Sequence, residues 1–187
     1  MPEFRSEDDS AILRGCLKGE RKYQKMLYDK YAPKMYSICL GYARDRSEAK
    51  DILQEGFIKV FRNLKDFKVE SSLDSWIWKI ITNTAIDHYR QKKRLGENIE
   101  SNPGADYLQI PEKSMDQIGY DNIIDIMNQL PDGARVVFNL HVLEGYTHKE
   151  IAKMLNITEG TSKSQLNRAK NLLKKMLPLE MNEIRSQ

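Results

Sequence analysis

Residues 147–175 read THKEIAKMLNITEGTSKSQLNRAKNLLKK, and their pattern predicts two helices joined by a tight turn. Thr147 and Glu150 have the capping-box spacing, in which each side chain accepts a hydrogen bond from the other residue's free backbone N–H, so a helix should begin there. Asn156 tolerates the left-handed conformation that often ends a helix. Thr158 is a suitable cap for the second helix. The stretch therefore predicts a helix-turn-helix.

The second of these helices has an apolar side and a basic side. The apolar side is expected to hold Thr161, Leu166, Ala169, Leu172, Leu173 and Met176. The opposite side holds Lys163, Ser164, Gln165, Asn167, Arg168 and Lys170. Such a helix fits the major groove of a duplex, where early residues read base edges and later cations meet phosphates. The competing interpretation is an ordinary amphipathic helix pair whose basic face is solvated.

Charge is unevenly distributed along the 187-residue chain, although its net charge is only +3. Residues 79–94 hold five bases and one acid, whereas residues 95–121 hold six acids and one base. This alternation indicates two cationic modules separated by an acidic connector that does not itself touch nucleic acid. The hydrophobic content of 40% is enough for one ordinary domain or two small ones.

Apolar spacing and capping signals predict an all-α fold, and no sustained period-two alternation indicates a strand. The first helix is expected over residues 6–18, and the second begins at Glu20 and continues from Pro33. The third begins at the Asp45 capping box, and the fourth covers residues 73–94. A second helical block begins at Tyr120 and breaks at Gly145. In the second helix, Tyr23, Met26, Leu27, Tyr28 and Tyr31 are expected to face inward. The predicted organisation is two small helical domains, residues 1–94 and 120–187, joined by a flexible linker, residues 95–119.

Cysteine usage and hydropathy bear on the compartment. Cys16 and Cys39 lie in no metal-ligand pattern, and we expect both to be buried in a reducing compartment. The amino terminus is acidic and does not resemble a signal peptide, and no apolar run approaches the length of about 20 residues that spans a bilayer. We therefore expect a cytoplasmic protein without direct membrane insertion.

A polar edge is predicted on the third helix. Asp51, Gln54 and Glu55 are spaced i, i+3 and i+4, with Phe57 nearby. Such an edge is either a docking surface for a partner that supplies cations and an apolar groove, or a solvated face. On the residues alone, the solvated face is favoured, because charged helix edges are usually only exposed to solvent.

A second candidate surface combines aromatic, cationic and amide side chains. It consists of the loop from Phe67 through Lys68 to Ser72, followed by Trp76, Lys79, Asn83 and Arg90. Rings stack on unpaired bases while cations follow the backbone, so the set suits single-stranded nucleic acid. Alternatively, at least one of Trp76 and Trp78 is a core residue, and the basic cluster 90–94 complements the dipole of a helix C-terminus.

Catalysis and metal binding have little support in the sequence. His88, His141 and His148 have no second ligand at metal spacing. There is no glycine-rich phosphate loop and no nucleophile elbow. No cofactor and no small-molecule substrate are expected.

Two motif blocks resemble the extracytoplasmic-function (ECF) class of bacterial RNA polymerase sigma factors. The first is DILQEGF at residues 51–57 with SWIWKIITN at 75–83, and the second runs from Leu130-Pro131 to GTSKSQLNRA at 160–169. The resemblance implies two helical domains, called region two and region four, without enzymatic activity. The alternatives are a free-standing helix-turn-helix regulator that needs no polymerase and a nucleic-acid-processing enzyme, and the missing acidic metal-ligand cluster argues against the enzyme.

The resemblance also implies partners and residue roles. The partners would be core RNA polymerase, through its beta-prime clamp helices and beta flap, promoter DNA and an anti-sigma factor. The residues implied to dock on the clamp are Asp51, Gln54, Glu55 and Phe57. The minus-ten element would be recognised and opened by Phe67, Lys68, Ser72, Trp76, Lys79, Asn83 and Arg90. The minus-thirty-five element would be read by Thr161, Lys163, Ser164, Gln165, Asn167 and Arg168.

The chain departs from the family pattern at two positions. Ser162 stands where a small apolar residue is usual, and Gln165 where arginine is common. The loss of a cation at Gln165 is expected to weaken phosphate attraction and to flatten the salt dependence by about one ion.

Overall fold

A computed structural model describes residues 7–67, 72–96 and 126–176. Expectations for Lys68, for the linker, for the start of the second helical block and for the carboxyl-terminal tail lie outside these ranges. All regular elements of the described part are helical, as predicted. The described residues form two compact units that divide after His88.

The helices have the following bounds. In the first half these are α1 (Glu7–Leu17), α2 (Arg21–Tyr42), α3 (Arg46–Asn63), a 3₁₀ turn (Leu64–Asp66) and α4 (Leu73–Arg94). In the second half they are α5 (Asp132–Phe138), which continues into a π-helical turn (Asn139–Leu143), then α6 (His148–Leu155) and α7 (Glu159–Met176).

Local capping explains where α3 begins. The Asp45 carboxylate accepts a hydrogen bond from the Glu48 N–H at 2.8 Å, which satisfies one of the free donors of the first turn. The Glu48 carboxylate reaches back to the Arg44 N–H at 2.9 Å, one residue earlier than in a standard capping box. The predicted start of this helix is confirmed.

The buried stripe of α2 differs from the sequence expectation. Leu27, Tyr31 and Met35, each four residues apart, are buried, whereas Met26 is 38% exposed and Tyr28 is 39% exposed. Met26 and Tyr28 are thus more exposed than expected, because the contiguous run 26–28 spans too wide an arc for one helix face. The Tyr28 ring nevertheless contacts buried Phe57 of α3. The helix also passes through Pro33 without interruption instead of restarting there.

The core of the first unit lies where α2, α3 and α4 meet. Its fully buried side chains include Leu27, Met35, Cys39, Ile52, Val60, Ile77 and Ile81. Cys16 and Cys39 are buried free thiols, as predicted, and burial raises the pKa of Cys39 to about 12. An ion pair between Lys34 Nζ and Asp74 Oδ2 at 2.7 Å connects α2 to α4.

The second unit packs α5 and α6 against α7, and the π-helical turn contacts α5 and α6. Leu130, Ala134 and Ala169 form a buried cluster that partly buried Met127, Phe138, Leu172 and Leu173 extend. Arg135 is also buried and donates through Nη2 to Asp132 Oδ1 at 2.8 Å. The partner is necessary, because an uncompensated buried charge is strongly destabilising.

Candidate nucleic-acid interface

The capping box predicted at Thr147 is present. Thr147 Oγ1 accepts from the Glu150 N–H at 3.3 Å, and the Glu150 carboxylate accepts from the Thr147 N–H at 2.8 Å. These bonds begin α6 at His148. The Thr147 hydroxyl, and after it the Thr147 N–H, lower the pKa of Glu150 because both donate to the carboxylate.

The turn between α6 and α7 is also as predicted. Asn156 ends α6 in the left-handed conformation, with φ 53° and ψ 54°. Its successor Ile157 donates to the Ala152 carbonyl at 3.0 Å. Thr158 Oγ1 then accepts from the Thr161 N–H at 3.0 Å, which caps the first turn of α7. The predicted helix-turn-helix is therefore confirmed.

Most of the residues predicted to contact a duplex lie on the exposed side of α7. They are Thr161, Lys163, Ser164, Asn167 and Arg168. Gln165 is half-buried, and a Cβ atom on Gly133 of α5 would lie 3.4 Å from its Cδ. The side chain of Gln165 therefore packs towards α5, and its polar atoms are less accessible than those of the other five.

The buried side of α7 was predicted incorrectly at one position. Thr161 is exposed, whereas Ser162 is 0% exposed and lines up with buried Leu166 and Ala169. Spacings of four and three residues keep Ser162, Leu166 and Ala169 on one helix face. Thr161 thus lies off the apolar side and beside the basic residues.

The exposed side of α7 offers both donors and acceptors. Ser164 Oγ donates to the Thr161 carbonyl at 2.9 Å, so its hydrogen is committed and its lone pairs remain available. Lys163 and Arg168 supply cationic donors, the groups that pair with guanine O6 and N7. Asn167 can pair with adenine through its amide. This arrangement can read base edges in a major groove.

Histidine contacts inside the helix-turn-helix were missed by sequence reasoning. His148 Nδ1 lies 2.8 Å from Ser162 Oγ, and the His148 ring stacks on His141 with centroids 4.4 Å apart. The signal was Ser162 itself, a hydroxyl in a buried stripe, which requires a partner. Within the residues that the structure describes, no group of three metal-ligating side chains exists.

The aromatic surface in the first half is partly assembled. The rings of Phe67 and Trp76 meet edge to face with centroids 5.4 Å apart. Ser72 Oγ accepts from the Ser75 N–H at 3.1 Å and caps α4. Trp76 and Trp78 are both half-buried, so each ring keeps an exposed part and neither is a fully buried core residue.

The remaining predicted residues of this surface lie along one face of α4. Lys79, Asn83 and Arg90 are exposed, and together with half-buried Trp76 they are spaced by three, four and seven residues. In a helix these spacings bring the four side chains to the same side. The face presents a ring, two cations and an amide in one row.

The polar edge of α3 divides into exposed and engaged residues. Asp51 and Gln54 are exposed. Phe57 is only 2% exposed and packs on Tyr28, with ring centroids 4.7 Å apart. Its contribution to any docking surface is therefore to hold α3 in place.

Glu55 links two helices. Its carboxylate accepts from Lys59 Nζ at 2.9 Å and contacts His88 Nε2 of α4 at 2.5 Å. Lys59 also lies 3.7 Å from the Asp87 carboxylate. The pKa of Glu55 is lowered by the Lys59 hydrogen bond first and by His88 second, against the opposing effect of burial.

A shallow groove of about 710 Å³ borders the polar edge between α2 and α3. Its lining combines aromatic and aliphatic residues with three charged or amide residues: Tyr28, Asp29, Ala32, Pro33, Tyr36, Lys50, Leu53 and Gln54. An apolar side chain of a partner helix fits such a groove. Across the described ranges, no helix has the length and apolar character needed to cross a bilayer.

Comparison with known proteins agrees with this architecture of a helical module followed by a helix-turn-helix module. Residues 27–95 match the family model for sigma-70 region 2, and residues 120–173 match that for sigma-70 region 4. The ECF RNA polymerase sigma factor SigW of Bacillus subtilis is 31% identical, over 88% of this chain and 94% of its own length. The RNA polymerase sigma-H factor of Pseudomonas aeruginosa is 27% identical, over 91% of this chain and 94% of its own length.

A solved structure supports the fold. It is the sigma factor RpoE in complex with the anti-sigma factor NepR from Bartonella quintana, with a TM-score of 0.50, 21% identity, and coverage of 83% of this chain and 96% of that one. The chain belongs to the ECF class of RNA polymerase sigma factors. Its function is that of a promoter-specificity subunit that directs transcription initiation, and a free-standing regulator is not favoured.

Proposed function

We propose that the two halves of this sigma factor divide promoter recognition between them. Residues 1–94 act as region two, which docks on core polymerase and opens the minus-ten element, and residues 120–187 act as region four, which reads the minus-thirty-five element. Residues 95–119 connect them. The protein works in the cytoplasm beside polymerase and has no catalytic activity of its own.

The observation that carries the proposal is the exposed side of α7. Five of the six residues assigned to the minus-thirty-five element are exposed on this helix, which follows a capped first helix and a left-handed turn. Lys163 and Arg168 provide charge and donors, while Ser164 and Asn167 provide directional partners. A helix so equipped reads a major groove with its early residues.

The face of α4 supports minus-ten recognition. Phe67 packs against one edge of Trp76, which orients the indole ring beside Lys79 and Asn83. An oriented ring can stack on a base that has left the duplex, and the cations can follow the strand backbone. Unstacking costs a few kcal/mol per step, and capture of the base offsets that cost.

The polar edge of α3 and the adjoining groove support polymerase docking. Asp51 and Gln54 are exposed beside an apolar groove, so a cationic helix with an apolar side chain would be complementary to both. Glu55 holds α3 to α4 through His88 and contributes to docking by positioning this edge. The beta-prime clamp helices are the proposed partner, and the beta flap is the proposed contact of region four.

An anti-sigma factor is the third proposed partner. The fold neighbour RpoE was crystallised with the anti-sigma factor NepR, and a protein of that class would regulate this chain by covering its docking surfaces. Core polymerase and promoter DNA complete the set of partners.

Selection from a library of randomised duplexes tests the proposal. The full chain, reconstituted with core polymerase, should enrich duplexes that carry two conserved elements. Arg168→Ala should lower affinity for the enriched duplex by about 1–3 kcal/mol if the guanidinium reads a base. The matched control is Lys153→Ala, which removes an exposed cation from α6.

Three outcomes would contradict the proposal. The first is enrichment of a single element by the chain alone, without polymerase, which indicates a free-standing regulator. The second is an equal effect of Arg168→Ala on random duplexes, which reduces Arg168 to a phosphate contact. The third is an equal loss for Lys153→Ala.

A further inference from the structure

Two histidines and a serine connect three consecutive elements of the helix-turn-helix module. We call His141, His148 and Ser162 the imidazole column. His141 lies in the π-helical turn, and its Nδ1 donates to the Tyr146 carbonyl at 2.8 Å. Its ring stacks on His148 of α6 with an interplanar angle of 14° and centroids 4.4 Å apart. His148 Nδ1 in turn lies 2.8 Å from Ser162 Oγ of α7.

Because Ser162 lies in the first turn of α7, the imidazole column affects how this helix is oriented. Ser162 is 0% exposed and directly precedes Lys163 and Ser164. A buried hydroxyl without a partner is costly, so the position tolerates serine only where a partner is provided. His148 provides one. The bond also restricts the rotation of the first turn of α7, since the hydroxyl must keep facing the imidazole.

We propose, resting on the proposed reading of duplex DNA by α7, that His148 is a positioning residue for promoter recognition and makes it sensitive to pH. Through Ser162, it sets the direction in which Lys163 and Ser164 project from α7. Because its ring stacks on His141, it does so only while the His148 ring is neutral.

The surroundings of His148 determine the direction of the pH effect. His141 from the π-helical turn, and Lys163 and Lys170 from α7, disfavour a positive charge on His148, whereas Glu159 from α7 favours one. Burial first, and these positive neighbours second, lower the pKa of His148 below its usual value of 6.5. The stabilisation of the imidazole column by neutral His148 is therefore present above pH 6.5 and is lost as the pH falls through the lowered pKa of His148.

The test uses the reconstituted holoenzyme and a duplex recovered from a randomised library. Affinity of the wild type for this duplex should fall about tenfold between pH 7.5 and pH 5.5, because a positive charge on His148, which burial and its positive neighbours disfavour, disrupts the column. His148→Asn keeps a polar atom near the position of Nδ1 but removes the ring. This variant should bind within about threefold of the wild type at pH 7.5 and show no such pH dependence.

A mutant cycle tests the bond itself. His148→Ala and Ser162→Ala should each lower the affinity of the holoenzyme for the recovered duplex about tenfold at pH 7.5. The double variant should lose no more affinity than either single variant, because both substitutions remove the same interaction. Circular dichroism verifies that each variant is helical under the conditions used. Ser162→Ala places a small apolar residue at this buried position and should fold normally.

Several results would overturn the inference. They are additive losses in the cycle, or identical pH profiles for the wild type and His148→Asn. A wild-type affinity that rises on acidification, with a salt slope steeper by about one ion, would make His148 a phosphate contact instead.

If the holoenzyme enriches no duplex, the proposed function fails and the inference with it. If Arg168→Ala weakens an enriched duplex while the column variants behave as the wild type, only the inference fails.

Discussion

Thr161 and Ser162 are adjacent hydroxyl residues in opposite environments. Thr161 is exposed beside the basic side of α7, whereas Ser162 is buried and bonded to His148. Spacing within α7 favours Ser162 as the buried residue, because it lies four and seven residues before Leu166 and Ala169. Its partner 14 residues earlier in the chain could not be predicted from that spacing, since the contact depends on how α6 packs against α7.

Thr147 is the residue on which the start of α6 depends. Thr147→Ala removes the hydroxyl that caps the Glu150 N–H and should lower the free energy of unfolding by about 1 kcal/mol, the usual value of an N-cap. Urea denaturation of the full chain measures this. The control Lys149→Ala changes an exposed side chain in the same turn and should stay within about 0.5 kcal/mol of the wild type. Equal losses in both variants would remove the assigned role of the cap.

Trp76 and Trp78 allow a matched comparison on one helix. Both are half-buried, but they are two residues apart and face different directions. Trp76→Leu should impair opening of the minus-ten element, because Trp76 lies with Lys79 and Asn83 and is oriented by Phe67. Permanganate reactivity of unpaired thymines reports strand opening. Trp78→Leu should leave strand opening unchanged. An equal defect in both variants would contradict the role assigned to Trp76.

Helix boundaries could be predicted wherever a local signal exists. Asp45, Thr147 and Asn156 begin or end their helices as expected, because capping involves residues only three or four positions apart. Contacts between helices could not be predicted in this way. The Glu55–His88 contact joins residues 33 positions apart, and the groove beside Gln54 depends on how α2 packs against α3.

The contact between α3 and α4 should make stability depend on pH. The pKa of Glu55 is lowered in the folded chain, so its stabilising contribution is present above the ordinary glutamate pKa of 4.5 and is lost as the pH falls below that value. The stability difference between the wild type and Glu55→Gln, measured by urea denaturation, should therefore shrink on acidification. Gln54→Ala, on the same edge but without a titratable group, should show a constant difference. A Glu55→Gln difference that is independent of pH would contradict the role of the bridge.

The edge of α3 should also determine polymerase binding. Asp51→Lys reverses an exposed charge beside the groove and should weaken association with core polymerase at least about tenfold, since it places like charge against a cationic partner. Fluorescence anisotropy of the labelled full chain measures this affinity without DNA. Glu20→Lys reverses another exposed acid of the same unit and should leave binding unchanged. Unchanged binding of Asp51→Lys would show that polymerase docks elsewhere.

The proposed division of promoter recognition requires the two halves of the chain, each with a modest DNA-binding surface, to act on one promoter. Tethering raises the effective concentration of the second module once the first has bound, so neither needs high affinity alone. The all-α class and the helix-turn-helix could be predicted from the sequence, because they follow from periodicity and capping. The promoter that the two surfaces select depends on the directions of individual side chains, including Gln165, which packs towards α5.

Run-off transcription with purified core polymerase tests whether this chain selects promoters as a subunit of the polymerase. Polymerase supplemented with the full chain should initiate at defined start sites on templates that contain the enriched promoter, and altering either of its two elements should abolish the product. Polymerase alone should yield no such product. A chain that does not direct start-site selection, yet binds double-stranded sites tightly in the absence of polymerase, would contradict this role.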